Sequence, residues 1–275
     1  MSLSRAKSSA MLGHLTASLA REFIHDGGDP SFHRPWPLPR APWVMAQTWE
    51  DLVFLHWPMD PDALRARLPR GLSLDMYRGD AWVSVTPFVV TGLRPRGIPA
   101  VPGLSSFAET NVRTYVTRDG KPGVWFFSLD ASSRLAVTAA RALYHLPYHH
   151  AEFTIERTPE RIRYACQRRD RHAPAGGLAV EYEPVGPRAP AAPGTLSWWL
   201  TERYCLYASR RGHLYRAEIH HVPWPLQDAE AHISLNTLLD GLAPGFGQTV
   251  GTRRPVVQFA RRLSVIVWAP VRLGA

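Results

Sequence analysis

Lysine is almost missing from this chain. Of its 32 lysines and arginines only Lys7 and Lys121 are lysines, and none follows Lys121. The formal charge of +9 is therefore carried by arginine. Those arginines are scattered, with no long basic stripe and no recognised binding motif, which argues against a nucleic-acid partner; with the many Ala and Pro they fit a GC-rich genome. Cysteine is scarce as well: Cys166 and Cys205 lie far apart and suit neither a disulfide framework nor a zinc ribbon. No apolar run approaches the roughly 18 residues of a membrane span, and MSLSRAKSSAMLGHLTASLA lacks the continuous apolar centre of a signal peptide. A cytoplasmic protein with no membrane partner is expected. There is no P-loop, no dinucleotide fingerprint and no G-x-S-x-G elbow. No cofactor is expected, and Ser132 and Ser133 read as helix caps rather than nucleophiles.

What remains is globular. A hydrophobic fraction of 45% with ten Trp is ample for one large core. Residues 1–41 read as a peripheral N-terminal extension, with a short amphipathic helix over Met11–Ile24 and a Pro-rich exit, and residues 42–275 as a single domain. Strand-like runs dominate that domain. Helices are predicted after Asp60 (an N-cap followed by Pro61), over Ser132–Leu146 with its Leu135, Val137 or Leu143 side on a sheet, from Thr195 through LSWWLTERYCLYA, and over Asp228–Leu239. GPRAPAAPG reads as a loop. Many hairpins with a few inserted helices predict an α+β, β-rich fold built on a curved antiparallel sheet or barrel.

The stretch ETNVRTYVTRDGKPGVWFFSLD, Glu109–Asp130, reads as the central hairpin. With Asp119–Pro122 as its loop, Glu109, Asn111, Arg113 and Tyr115 share a face with Phe126, Ser128 and Asp130, while Val112, Val116, Trp125, Phe127 and Leu129 take the other. The first face mixes carboxylates, an amide, a guanidinium and a phenol with an aromatic ring and holds no lysine. Such a face is either the wet side of a sheet or the wall of a pocket, and the aromatics favour the pocket.

The histidines invite a metal reading, since His150 with Glu152, and His220 with Glu218, supply ligand types on shared strand faces. Adjacent histidines point to opposite faces, so each His-His pair offers one interior ligand at most, and no metal is expected. Glu202-Arg203 reads as a structural salt bridge toward the sheet.

The blocks ETNVRTYV, GKPGVWFFSLDA, LPYHHA, LTERYCLY and IHHVPWPL, in this order, resemble the YqjF-like family of uncharacterised bacterial proteins, domain of unknown function 2071. The resemblance runs from about Ala46 to Ala269. It implies the acetoacetate decarboxylase-like superfamily, hence a cone-shaped β-barrel with two or three packed helices around a small-molecule cavity, in which Glu109 is similar by position to the pocket glutamate. Acetoacetate decarboxylase itself works through a Schiff-base lysine beside a second lysine. That pair would fall near WFFSLDASS, where this chain has none, and Lys121 is expected at a solvated hairpin tip.

Two function classes follow. One is a lysine-independent lyase, isomerase or cyclase acting on a small oxo- or carboxylate-bearing molecule. In it Arg113 anchors the acid with Asn111, Tyr115 and Ser128, Asp130 pairs with Arg113, and Glu109 or Asp130 moves protons. The other is a non-catalytic small-ligand binder or sensor using the same pocket. Either leaves homo-oligomerisation open.

Overall fold

The computed structural model describes residues 33–240, 242 and 253–274; the helix expected over Met11–Ile24 lies outside them. In chain order the elements are β1 Met45–Met59, α1 Pro61–Arg65, β2 Ser73–Leu74, β3 Ala81–Pro95, β4 Phe107–Arg118, β5 Lys121–Ala131, α2 Arg134–Tyr144, β6 Tyr148–Arg157, β7 Ile162–Arg168, β8 Gly177–Ala189, α3 Leu196–Thr201, β9 Cys205–Arg210, β10 His213–His220, β11 Leu226–Asn236, β12 Val256–Val267 and β13 Val271–Arg272. The class is α+β and β-rich, as expected.

Two strands change partner along their length. β5 lies against β4 on one side; on the other it pairs in parallel with β9 at Val124–Trp125 and with β6 at Leu129–Ala131. β12 lies against β1, and its free side meets β11 at Gln258 and Phe259 and β10 at Ile266 and Val267. The sheet therefore closes twice. One ring runs β5-β6-β7-β8-β11-β12-β1-β3-β4, the other β5-β9-β10-β12-β1-β3-β4. The strands β12, β1, β3, β4 and β5 belong to both.

A shared strand has no wet face over much of its length. Residues Phe107–Val116 of β4 are all buried, as are Leu52–Trp57 of β1 and Ala81–Phe88 of β3. This is why β1 and β3 read as near-continuous apolar runs instead of alternating ones. The larger ring is filled by Val53, Leu55, Val85, Val112, Tyr164 and Phe259 among others. The smaller ring is filled by Leu52, Phe54, Phe88, Leu263 and Val265 among others.

Several elements depart from expectation. Asp228–Leu239 is not a helix: β11 pairs with β8 over most of its length, and ladder hydrogen bonds override the helical preference of its Ala and Glu residues. The helix begun at Thr195 stops at Thr201, because Cys205–Arg210 is β9 between β5 and β10. β8 continues to Ala189, through part of the segment read as a loop. On α2, capped by Ser133, only Val137 is buried, while Leu135 and Leu143 are 62% and 63% exposed. Residues 33–41, at the end of the extension, are fastened to the sheet: Arg34 pairs with Glu218 at 3.0 Å, and Trp268 Nε1 donates to the Ala41 carbonyl at 2.7 Å. Among the described residues no helix is long and apolar enough to cross a membrane.

Candidate functional site

β4 carries the site because its alternation divides it between the rings. Thr110 and Val112 point into the larger ring, where Thr110 meets Tyr164 and Val112 joins the core. Glu109, Asn111 and Arg113 point into the smaller ring and line a cavity of about 430 Å³. All seven strands of that ring contribute to its wall, with α2 along one side.

The hairpin turns more tightly than the sequence reading supposed. Arg118 pairs with Lys121 across Asp119 and Gly120, both at positive φ as a two-residue turn of this hand requires. That turn keeps Arg113 opposite Phe126 and Tyr115 opposite Val124. A bulge at Phe127 then shifts the register, so that Val112 faces Ser128, Thr110 faces Asp130 and Asn111 faces Leu129. The extra residue turns Ser128 and Asp130 to the larger ring and brings Leu129 to the cavity. Asp130 consequently does not pair with Arg113. It is fully buried against Arg168 of β7, which clasps it by two bonds of 2.7 Å, Nε to Oδ1 and Nη2 to Oδ2. Tyr115 keeps its face but lies off the cavity wall, under Trp199 and hydrogen-bonded to His56 Nδ1 at 3.1 Å. Of the six predicted residues, Glu109, Asn111 and Arg113 meet in the cavity; Tyr115, Ser128 and Asp130 do not.

The three that meet are poorly satisfied. Arg113 is 9% exposed, its Nε and Nη2 are buried without a hydrogen-bond partner, and no acid pairs with it among the described residues. Its guanidinium lies 5.2 Å from the Phe54 ring centre and 6.0 Å from that of Tyr115. Burial lowers its pKa, chiefly by desolvation. Asn111 Oδ1 is likewise buried and unpartnered. Burial pushes the Glu109 carboxyl up to about 8; the Tyr148 hydroxyl, which donates to Oε2 at 2.9 Å, opposes the rise, and Asp130 behind the strand adds to it. Glu109 is therefore a neutral acid at pH 7.

Three further wall residues escaped the sequence reading. Tyr148 reaches Glu109 because β6 starts beside the end of β5, a parallel contact that no local pattern announces. Arg203 does not pair with Glu202: its Nη1 meets Asp75 Oδ2 at 2.5 Å, its Nε donates to the Trp199 carbonyl, and Glu202 accepts from Tyr204 and the Trp224 amide. His221 donates through Nδ1 to the Val222 carbonyl at 2.7 Å, and burial pushes its pKa down to about 4. The blocks LTERYCLY and IHHVPWPL hold both residues, but only the closed ring aims them at one cavity.

The groups weighed for other chemistry lie elsewhere. Lys121 is off the cavity wall and, instead of standing free in solvent, pairs with Glu218 at 3.1 Å. Glu152 pairs with Arg169 on the surface and Glu218 with Arg34. Among the described residues no three His, Cys, Asp or Glu side chains gather in a way that holds a metal ion.

Comparison with known proteins places these features in a wider set. The profile of DUF2071, a family described as an uncharacterized conserved protein, matches residues 46–264. The uncharacterized protein YqjF of Bacillus subtilis (strain 168) is 45% identical over 235 residues, covering 86% of this chain and 94% of that protein. Among solved structures, an acetoacetate decarboxylase-like enzyme from Sphingomonas wittichii RW1 superposes with a TM-score of 0.60 at 15% identity, covering 88% of this chain and 98% of the other. The acetoacetate decarboxylase of Legionella pneumophila gives 0.57 at 12% identity, over 90% and 94%. The enduracididine biosynthesis enzyme MppR, in complex with pyruvate, gives 0.58 at 12% identity, over 90% and 95%. The acetoacetate decarboxylase-like fold is thereby shown.

Proposed function

The chain belongs to the DUF2071 family of uncharacterised YqjF-like proteins, and from its cavity we propose a lysine-independent enzyme that binds a small carboxylate-bearing oxo compound and moves a proton on it. The observation that carries this reading is the pairing, on one strand face, of an arginine without an acid partner and a glutamate held neutral. A buried guanidinium with free donors is costly unless something anionic completes it, and a ligand carboxylate matches its fork. Glu109 supplies the chemistry. Ionised, it takes the proton from the carbon next to a carbonyl, leaving the electron pair on the enolate oxygen; protonated, it returns the proton to carbon. A value near 8 makes both forms accessible close to neutrality. Tyr148 holds the carboxyl in place. That MppR, of the same fold, takes pyruvate supports an oxo acid as the ligand type.

Deuterium incorporation from D2O into a series of oxo acids that carry the oxo group at increasing distance from the carboxylate, followed by proton NMR, tests the reading. The wild type should exchange the α-hydrogens with a rate that rises with pH through about 8, and Glu109→Gln should lose the exchange while still binding the acid. Equal rates in the two proteins overturn the proposal. Binding by Arg113 without exchange in the wild type points to the non-catalytic binder.

A further inference from the structure

The cavity walls are not uniform. The polar groups gather along β4 and at Arg203 and His221, with Arg113, Asn111 and Glu109 all buried. The rest of the wall is mainly aromatic and aliphatic, including Trp49, Phe88, Phe107, Phe126 and Trp224. Four wall residues are at once exposed: Leu104 at 59%, Leu135 at 62%, Leu143 at 63% and, between the last two on α2, Ala139. Side chains that line a cavity and also face solvent mark its mouth. The cavity thus runs from a cationic end to an apolar opening beneath α2.

Arg113 and Glu109 are also far apart. Four residues along a strand is about 13 Å between Cα atoms, and Arg113 is not among the charges that act on Glu109. A molecule of pyruvate size held on Arg113 leaves most of the 430 Å³ empty and the aromatic wall wet. A cavity of this volume suits a larger, mostly apolar ligand with one polar end.

We propose that the natural ligand is an amphipathic monocarboxylate, with its acid on Arg113, its chain running along β4 past Asn111 to Glu109, and its apolar tail under Leu135 and Leu143 of α2. This rests on the reading of Arg113 as the carboxylate anchor and adds the class of molecule. The tail leaves through the mouth, so the leucines that look misplaced on the surface of α2 become its outer contact. The oxo group on which Glu109 acts then sits partway along the chain, not next to the carboxylate.

The test is calorimetric binding of butyrate, hexanoate, octanoate and decanoate to the full chain. Affinity should rise with length by about fourfold per methylene, the equivalent of about 0.8 kcal/mol per buried CH2. Leu135→Asp and Leu143→Asp, both at exposed positions that tolerate a charge in folding, should flatten that rise. Arg113→Met should weaken every acid at least tenfold. Affinity independent of length, mouth variants with the wild-type slope, or no binding of any of the four acids would overturn the proposal. If length dependence disappears but Arg113→Met still abolishes binding, the anchor stands and only the tail is wrong. If Arg113→Met changes nothing for any acid, the anchor itself fails.

Discussion

Arg113 and Asp130 are opposite charges in the same hairpin that the fold keeps apart, and their mutants should behave oppositely. Asp130 is fully buried and clasped by Arg168, whose side chain is 7% exposed. Asp130→Asn strands that guanidinium and should cost about 3 to 5 kcal/mol in urea unfolding. Arg113 has no acid to strand. Arg113→Met removes an uncompensated buried charge and should hold or raise stability, by about 1 kcal/mol or more, while losing the ligand. Comparable destabilisation by both substitutions would mean that Arg113 has a partner in solution. Glu109 adds a pH dependence. Its pKa in the fold is raised from 4.5 to about 8, so the fold prefers the neutral acid. Its contribution is complete below pH 4.5 and is lost as the pH rises toward 8. At pH 7 the loss is roughly 3 kcal/mol. Glu109→Gln cannot ionise, so it should gain on the wild type across that window and run parallel to it on either side. A stability difference independent of pH would place the Glu109 carboxyl in water.

At the scale of elements, the parallel contact of β5 with β9 is what closes the smaller ring, and it depends on one glycine. A Cβ on Gly123 would lie 2.7 Å from both the carbonyl oxygen and the Sγ of Cys205, and 2.8 Å from Tyr207 Cε2. Gly123→Ala should therefore push β9 off β5 and cost about 2 kcal/mol or more, read as a fall in Tm and weaker binding. Unchanged stability would show that β9 has room to move. The same hairpin shows how far the sequence can be read. Glu109, Asn111 and Arg113 fall on one face by strand alternation alone, and that face is the cavity wall. Ser128 and Asp130 were misplaced because a bulge at Phe127 leaves no local signal: nothing in WFFSLD distinguishes a bulged strand from a straight one. Tyr148, Arg203 and His221 were missed for a different reason. Their position depends on β6, β9 and β10 closing against strands distant in sequence. The truncation of the helix after Thr201 is of the same kind, since LTERYCLYA has a helical pattern and the pairing of β9 overrules it.

At the scale of the whole molecule, closing one sheet twice makes stability uneven. The shared strands β1, β3 and β4 are hydrogen-bonded on both edges over much of their length and largely packed on both faces, so their amides open only when the rings do. α2 is held differently. It is a short helix with one buried residue, Val137, and its remaining apolar face looks onto an open cavity. Few contacts are lost when it lifts, so it should be among the first elements to exchange. Hydrogen exchange followed by mass spectrometry at neutral pH should place α2 among the fastest-exchanging elements of the domain and β4 as the slowest, separated by several orders of magnitude. A ligand whose tail lies under Leu135 and Leu143 completes the missing side of that packing. Octanoate at saturation should thus slow exchange in α2 far more than in β4, where protection is already set by global unfolding. In Leu143→Asp the added protection of α2 should shrink, although the acid still reaches Arg113. Protection of α2 equal to that of β4 without ligand would mean that the helix is packed as core. Equal slowing throughout the domain on adding octanoate would mean that the ligand stabilises the fold as a whole rather than covering the mouth.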